Sequence, residues 1–310
     1  GFLERPIVNE YLEILWISMK KLWPGLERKQ RQYQIILSHD VDRPFAVIGS
    51  RPAAIIRNLM GDIVRRKDAK LALKRILACL SSGTKREELD PNATFNFIMD
   101  ISEKYGLLSA FYFMATDGDS RFDSGYPIEG SHLRRLLKSI DARGHEIGFH
   151  AGYDTFRDPA LAKIQFDRLC RVMDEENITP KAIGGRQHYL RWEAPLTWQI
   201  WDDLGLAYDS TVGFPYDPGF RAGTCYEYPI FNLLNRTKLN LTERPLIFMD
   251  GSMLTEGCAN IDIERIIECV IKLADACRRH NGDLCMLWHN SSLRSARQKG
   301  LYDRVVAAVI

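Results

Sequence analysis

The stretch LSHDVD, residues 37–42, places two carboxylates at the end of an apolar run that begins QIIL. Side chains alternate along a strand, so Asp40 and Asp42 point to one side and His39 to the other. Two like charges that converge are costly unless a metal ion or a catalytic step uses them. The stretch therefore indicates a metal or acid–base site, and a pair of loop caps is the simpler alternative.

Polar residues also end the later apolar runs of the chain. They are His150 after HEIGF, Arg186 after AIGG, Asp209 after LAY, Asp250 after LIFM and His289 after CMLW. In (β/α) barrels the C-terminal ends of the strands form the catalytic face, so we expect these side chains around one mouth. A lone histidine at a strand end is usually structural, but so many endings of this kind indicate a shared site.

The elements that must position these residues can be read from the hydrophobic pattern. Short apolar runs alternate with helical patterns, which predicts an α/β fold: a distorted (β/α) barrel of seven or eight strands over residues 34–310. Residues 46–90 form a basic helical insertion after the first strand, and such charge is usually that of a solvated face.

Residues 1–33 are predicted to form an N-terminal amphipathic helix and a linker. The stretch VNEYLEILWISMKKLW has an apolar stripe at helical spacing, and Pro24-Gly25 ends it. Three roles are open for this helix: docking on the body of the protein, a subunit interface, or peripheral membrane contact, because Trp and Lys flank the stripe.

The composition excludes several classes of protein. With 310 residues, 42 basic against 40 acidic side chains and a net charge of +2, the chain gives no reason to expect a nucleic-acid partner. Its seven cysteines form no CxxC pair, which favours reduced thiols and a cytoplasmic location. The absence of GxSxG, Walker and GxGxxG motifs removes the usual serine-hydrolase and nucleotide-binding folds.

Five stretches in order, LSHDVD, GHEIGFHAGYD, GGRQHYLRW, YDSTVGF and MLWHN, resemble the motifs of the NodB-homology polysaccharide deacetylases, carbohydrate esterase family four. The resemblance spans residues 34–292. A chain that has both the HDVD opening and the stretch GFRAGTC is similar to the deacetylases encoded for surface-polysaccharide synthesis. The resemblance implies hydrolysis of an N-acetyl group from an amino sugar that is free, nucleotide-linked or lipid-linked.

The resemblance also implies roles for the residues that match the motifs. Asp40 would be the general base, held and kept ionised by Arg186, and His289 the general acid that protonates the departing amine. Asp42 and His150 would be ligands of one divalent metal ion, with zinc the first expectation.

The sequence departs from the family pattern at the third ligand. Asp154 stands where the family has its second metal histidine, so we predict Asp154 as a ligand, with His188 as the alternative and a weakly held or absent metal as a third possibility. For the residue that orients His289 we prefer Asp209 over Asp250, because Asp209 falls within the fourth motif.

Tyr189, Trp192 and Arg221 are predicted to contact the carbohydrate substrate. Arg221 lies between Gly219 and Gly223, and could grip a carboxylate or phosphate or instead pair with Asp217. Two other functions stay open: a metal-free carbohydrate-binding relative, and a deacylase for an ester or a non-sugar amide. The sequence leaves the oligomeric state open.

Overall fold

A computed structural model describes residues 2–118, 120–254 and 262–310. In this part of the chain nine strands form one sheet, in the order β6-β7-β5-β4-β3-β2-β1-β9-β8. The strands are β1 (Gln34–Val41), β2 (Ser109–Phe113), β3 (Glu146–Ala151), β4 (Gly184–Gln187), β5 (Tyr208–Asp209), β6 (Tyr228–Asn232), β7 (Thr237–Glu243), β8 (Phe248–Met249) and β9 (Asp283–Leu287).

Helices surround the sheet and connect its strands. The α-helices are α1 (Ile7–Leu22), α2 (Pro52–Val64), α3 (Ala69–Leu80), α4 (Gly83–Leu89), α5 (Phe95–Lys104), α6 (Ser131–Ala142), α7 (Pro159–Glu175), α8 (Leu196–Asp203), α9 (Ile263–Arg279) and α10 (Ala296–Val309). Short 3-10 turns follow four strand ends, at Thr155–Arg157, His188–Leu190, Asp250–Ser252 and Asn290–Ser292. Among the described residues, no helix is long and apolar enough to cross a bilayer.

The sheet curls into a distorted barrel, as the sequence predicts. Neighbouring strands from β5 through β1 to β8 are parallel, and β6 pairs with β7 in an antiparallel hairpin. The chain between β7 and β8 closes the gap, because Leu246 N donates to Val212 O (3.1 Å) after β5 and Ile247 N donates to Cys285 O (3.0 Å) on β9. Closure brings the C-terminal ends of the parallel strands around one opening.

Two glycines keep the inside of the barrel below this opening clear for aromatic rings. A Cβ on Gly148 would lie 2.6 Å from the Tyr112 ring, and one on Gly184 would lie 2.2 Å from the Tyr208 ring. Each glycine is two residues before a polar strand-end residue, His150 or Arg186, and so lies on the same side of its strand. Because Gly148 and Gly184 have no side chains, the rings of Tyr112 and Tyr208 can fill the barrel beneath the polar residues at the strand ends.

The helical segment after β1 is attached at the mouth of the barrel. The buried Asp90 carboxylate accepts hydrogen bonds from the backbone N–H groups of Ala46 (2.7 Å) and Val47 (2.8 Å). The Asn92 side chain donates a hydrogen bond at 2.9 Å to the carbonyl oxygen of Arg43, the residue that follows Asp42. Helices α2, α3 and α4 therefore leave and rejoin the barrel beside the end of β1.

Candidate active site

The alternation of β1 directs its polar side chains as the sequence predicts. Asp40 points into the barrel, where its Oδ1 accepts a hydrogen bond from Arg186 Nη1 at 2.7 Å, and Ser38 Oγ accepts one from Arg186 Nη2 at 2.9 Å. His39 points outward, and its ring nitrogens lie 2.6 Å from Trp288 O and 3.0 Å from Ser109 Oγ. The two acids of HDVD thus face the interior together, and His39 is structural.

Arg186 is fully buried on β4, and hydrogen bonds hold its guanidinium on three sides. Besides Asp40 and Ser38, it donates from Nε to Ser210 O (2.8 Å) and from Nη2 to Ser210 Oγ (2.9 Å). Burial would raise the pKa of Asp40, but the charges of Arg186, His150 and His289 together outweigh burial and hold this pKa below its usual value. Asp40 is therefore a carboxylate with one oxygen anchored, and its Oδ2 lies 3.9 Å from His150 Nε2.

Asp42, His150 and His188 converge beside Asp40. Asp42 Oδ1 lies 3.2 Å from His150 Nε2 and 3.6 Å from His188 Nε2, and one potential ligand atom of each residue lies within 4.8 Å of the other two. In a tetrahedral zinc site with metal–ligand bonds of about 2.0–2.1 Å, ligand atoms are about 3.3 Å apart. This spacing and the nitrogen and oxygen donors fit a divalent metal ion.

Hydrogen bonds at the far side of each imidazole support this fit. His150 Nδ1 lies 2.8 Å from Arg186 O, and His188 Nδ1 lies 2.6 Å from Asp123 Oδ1. Because each Nδ1 faces an oxygen acceptor, we assign the imidazole proton to Nδ1 in both residues. The lone pair of each Nε2 is then directed at the cluster. Asp123 is itself held by Tyr153 N at 3.0 Å, so the carboxylate that orients His188 has a defined position.

The cluster also favours positive charge. Burial alone would lower the pKa of His150, but the charge of Asp40 and the hydrogen bond and charge of Asp42 outweigh it and raise this pKa above its usual value. The two carboxylates thus stabilise a cation at this point, whether a proton or a metal ion.

A left-handed turn after β4 brings His188 into the cluster. Tyr189 and Leu190 have φ values of 58° and 52°, in the region that non-glycine residues rarely adopt. The chain reverses there, so His188 faces Asp42 while Tyr189 remains 61% exposed at the mouth. Two such residues in succession are costly and are typical of functional sites.

Asp154, predicted as the third ligand, lies outside the cluster in the structure. Its side chain is 58% exposed and pairs with Arg191 Nη1 at 3.0 Å. Among the described residues, the group that could hold a metal ion consists of Asp42, His150 and His188. Asp154 falls four residues after His150, but β3 ends at Ala151 and the chain then turns toward the surface. The alternative ligand that the sequence offered, His188, occupies the position.

His289 lies at the end of β9 on the opposite side of Asp42. Its Nδ1 is 2.6 Å from Asp250 Oδ1, its backbone N–H donates to Asp250 Oδ2 at 3.2 Å, and its Nε2 is 3.8 Å from Asp42 Oδ2. Burial would lower the pKa of His289, but the charge and hydrogen bond of Asp250, with help from Asp42, raise it to about 10. The imidazole is therefore protonated at neutral pH and directs Nε2–H at the cluster.

Asp250, and not the preferred Asp209, is the carboxylate that the structure places against His289. On β5 the neighbours Tyr208 and Ser210 face the barrel interior, so Asp209 between them faces outward, where it accepts a hydrogen bond from Thr211 Oγ1. Burial raises the pKa of Asp209 to about 7. Asp250, the alternative, follows β8 next to β9 and meets His289 directly.

The three predicted substrate contacts differ in their surroundings. Tyr189 packs edge-on against Tyr153 (5.5 Å between centroids) beside His188, and so forms an aromatic wall of the mouth. Trp192 packs against Trp198 at 4.6 Å. Arg221 is exposed and donates to Gly213 O at 2.9 Å, with its guanidinium 6.0 Å from the Trp192 ring.

Asp123 is the site residue that the sequence does not single out. It lies in the loop after β2, ten residues beyond Phe113, so no strand-end pattern marks it. Only the fold brings this loop over the end of β4. In the folded chain the Asp123 side chain is only 3% exposed and lies against His188, which marks it as the carboxylate that orients this imidazole.

No protein-family model matches this sequence, and no curated protein matches it. Solved structures are similar in fold. A candidate polysaccharide deacetylase from Mycobacterium smegmatis has a TM-score of 0.57 at 13% identity, covering 92% of this chain and 86% of that one. A candidate polysaccharide deacetylase from Pseudomonas aeruginosa PAO1 has a TM-score of 0.54 at 13% identity, with the same coverages.

The Puue allantoinase is similar to the same extent, with a TM-score of 0.54, 12% identity, and coverage of 92% of this chain and 85% of that chain. At such identities the likeness concerns the fold and leaves the chemistry to the site residues. The resemblance inferred from the motifs is thus confirmed at the level of architecture: over nine tenths of its length, the chain has the fold of the polysaccharide deacetylases.

Proposed function

We propose that this chain is a metal-dependent deacetylase that hydrolyses the N-acetyl group of an amino sugar. The observation that supports it is one arrangement of groups. Three potential ligand atoms, from Asp42, His150 and His188, are bordered by an anchored carboxylate, Asp40, and by a protonated imidazole, His289. A base and an acid that both border a cation site are what amide hydrolysis needs.

Each residue has a distinct chemical task in this proposal. A divalent ion bound by Asp42, His150 and His188, with zinc the first candidate, would polarise the acetamide carbonyl and acidify a water molecule. Asp40 accepts the proton of the attacking water, and Arg186 keeps Asp40 ionised for this step. His289 donates its Nε2 proton to the amine as the C–N bond breaks, and Asp250 stabilises the imidazolium before the transfer.

The substrate class is part of the proposal. Exposed Tyr189 offers a flat apolar face beside the cluster, suited to the ring face of a sugar. The titles of the similar structures name polysaccharide deacetylases, and the HDVD and GFRAGTC stretches favour surface-polysaccharide synthesis. The cysteines in the described residues are all free, which is compatible with the cytoplasmic location we propose.

The test is metal analysis combined with acetate release. Protein purified without chelator should hold about one equivalent of metal, and chelated protein reloaded with zinc should release acetate from N-acetylglucosamine oligosaccharides. His150→Ala should lose both metal and turnover while keeping its circular dichroism spectrum. Protein that binds the oligosaccharide without metal would support the binding-relative alternative, and acetate release only from O-acetyl sugars would support the esterase alternative.

A further inference from the structure

Helices α2 and α3 both turn apolar side chains toward solvent. On α2 these residues recur at helical spacing: Ile56, Met60, Ile63 and Val64. On α3 they are Leu73, Ile76, Leu77 and Leu80. The side chains of this set, which we call the hairpin face, are 40% to 80% exposed. Single exposed apolar residues are ordinary, but two adjacent helices with exposed stripes indicate a surface that binds something apolar.

The segment that holds α2 and α3, residues 51–80, is strongly basic, and we call it the hairpin. It contains eight Arg or Lys and two Asp, a net charge of +6. The whole chain carries +2, so all the remaining residues together carry −4. The excess of positive over negative charge in the protein is therefore concentrated in this segment, which suits an anionic partner.

Both acidic residues of the hairpin are used inside it. Asp62 is buried and pairs with Arg66 Nη1 and Arg75 Nε, each at 2.8 Å, which ties α2 to α3. Asp68 caps α3 by accepting a hydrogen bond from Leu71 N at 2.9 Å. The internal pairs hold the hairpin together, and the remaining exposed cations, such as Arg57 and Arg65, face solvent.

The hairpin belongs to an insertion whose two ends lie beside the mouth of the barrel. It begins nine residues after Asp42, and Asn290, next to His289, donates hydrogen bonds to Arg43 O and Asn92 O, each at 3.1 Å, at the two ends of the insertion. Whatever the hairpin face binds is thus held near the opening of the candidate active site.

A second copy of the chain is a poor occupant of this face. A symmetric dimer joins the same surface of both subunits, so two hairpins of net charge +6 would meet and repel each other.

Helix α1 also exposes apolar residues, including Ile14, Leu15 and Ile17, but residues 1–33 carry only +2. Residues of α1 line one cavity together with His280 and Asn281, just before β9, which puts α1 at the other end of the strands.

We propose that the hairpin face docks on an anionic lipid bilayer and that it presents the mouth of the barrel to the membrane surface. Apolar side chains enter the boundary between headgroups and acyl chains, and the surrounding Arg and Lys contact anionic headgroups. The consequence for the substrate, which rests on the proposed function, is that the amino sugar is carried on a lipid. A soluble sugar would need no such docking.

Vesicle binding tests this docking without any turnover. The full chain should sediment with vesicles of phosphatidylcholine mixed with phosphatidylglycerol, and more weakly with phosphatidylcholine alone or at high salt. Arg57→Gln/Arg65→Gln/Lys70→Gln should weaken binding to the mixed vesicles by about fivefold for each charge removed, roughly a hundredfold in all. Leu73→Gln/Leu77→Gln should abolish binding, with unchanged melting temperature because both side chains are exposed.

The matched control is Ile14→Gln/Ile17→Gln on α1, which removes two apolar side chains of similar exposure and should bind mixed vesicles like the unaltered chain. Equal binding by the hairpin variants and the unaltered chain overturns the proposal, as does loss of binding in the α1 variant alone. A dimer in light scattering that Leu73→Gln/Leu77→Gln dissociates would identify a second copy as the occupant instead. Because sedimentation measures binding without turnover, an unaltered chain that binds the mixed vesicles but releases no acetate counts against the proposed function alone.

Discussion

Replacing Asp250 by Asn tests how His289 is held in its protonated form. Asp250 and Asp209 are both fully buried aspartates at strand ends, but only Asp250 contacts His289, at 2.6 Å. Asp250→Asn removes the charge that stabilises the imidazolium and keeps the size of the side chain. Asp209→Asn is the matched control, because it makes the same chemical change on the outer side of β5.

The expected magnitude follows from the pKa of His289, which is raised from 6.5 to about 10. With a pKa of about 10, about 99% of the imidazole is protonated at pH 8. If the whole shift were lost, about 3% would be protonated, roughly a thirtyfold decrease. Asp42 and Asp40 supply part of the shift and remain, so we expect about a tenfold loss of kcat at pH 8 and a smaller one at pH 6.

The assay is acetate release measured against pH for the zinc-loaded protein and both variants. In the unaltered chain kcat should fall on the alkaline side as His289 loses its proton, and in Asp250→Asn this fall should begin at lower pH. Asp209→Asn should leave the alkaline limb in place. An alkaline limb unchanged in Asp250→Asn, or shifted only in Asp209→Asn, would refute the assignment of Asp250 as the partner of the acid.

Three further predictions concern the ligands, the base and the core. His188→Ala should lower zinc affinity by at least tenfold in a competition titration, whereas Asp154→Ala should leave it unchanged; the opposite pattern would restore Asp154 as the ligand. Asp40→Asn should keep a full equivalent of zinc yet lose about 10²–10⁴ in kcat, and a loss of metal would show that Asp40 is itself a ligand. Burial lowers the pKa of His39 to about 4, so between pH 6.5 and 4 the unfolded chain binds a proton that the folded chain does not. The free energy of unfolding should therefore fall by about 3 kcal/mol across that range, and less in His39→Gln, as measured by urea unfolding.

Local rules within one strand were enough to predict part of the site. The period of two along β1 determines that Asp40 and Asp42 share a side and that His39 does not, whatever the rest of the chain does. The rule that strand ends meet at one face of a barrel brought His150, Arg186 and His289 together in the same way. These inferences succeed because each depends on the direction of a strand and on no particular contact between distant segments.

The choices between alternatives belonged to the tertiary structure. Asp154 and His188 are both close in sequence to site residues, but the left-handed turn at Tyr189 and the carboxylate of Asp123 decide for His188. Neither feature has a sequence signature, because the turn uses non-glycine residues and Asp123 comes from a separate loop.

The partner of His289 shows the same division. Asp209 and Asp250 both end apolar runs, and the sequence by itself determined only that one of them could meet the histidine. The registers of β5 and β8, together with the crossing of the chain from β7 to β8 that closes the barrel, turn Asp209 outward and bring Asp250 beside β9. Strand periodicity is a local property of the backbone, whereas register and closure depend on contacts between distant segments, which only the folded chain makes.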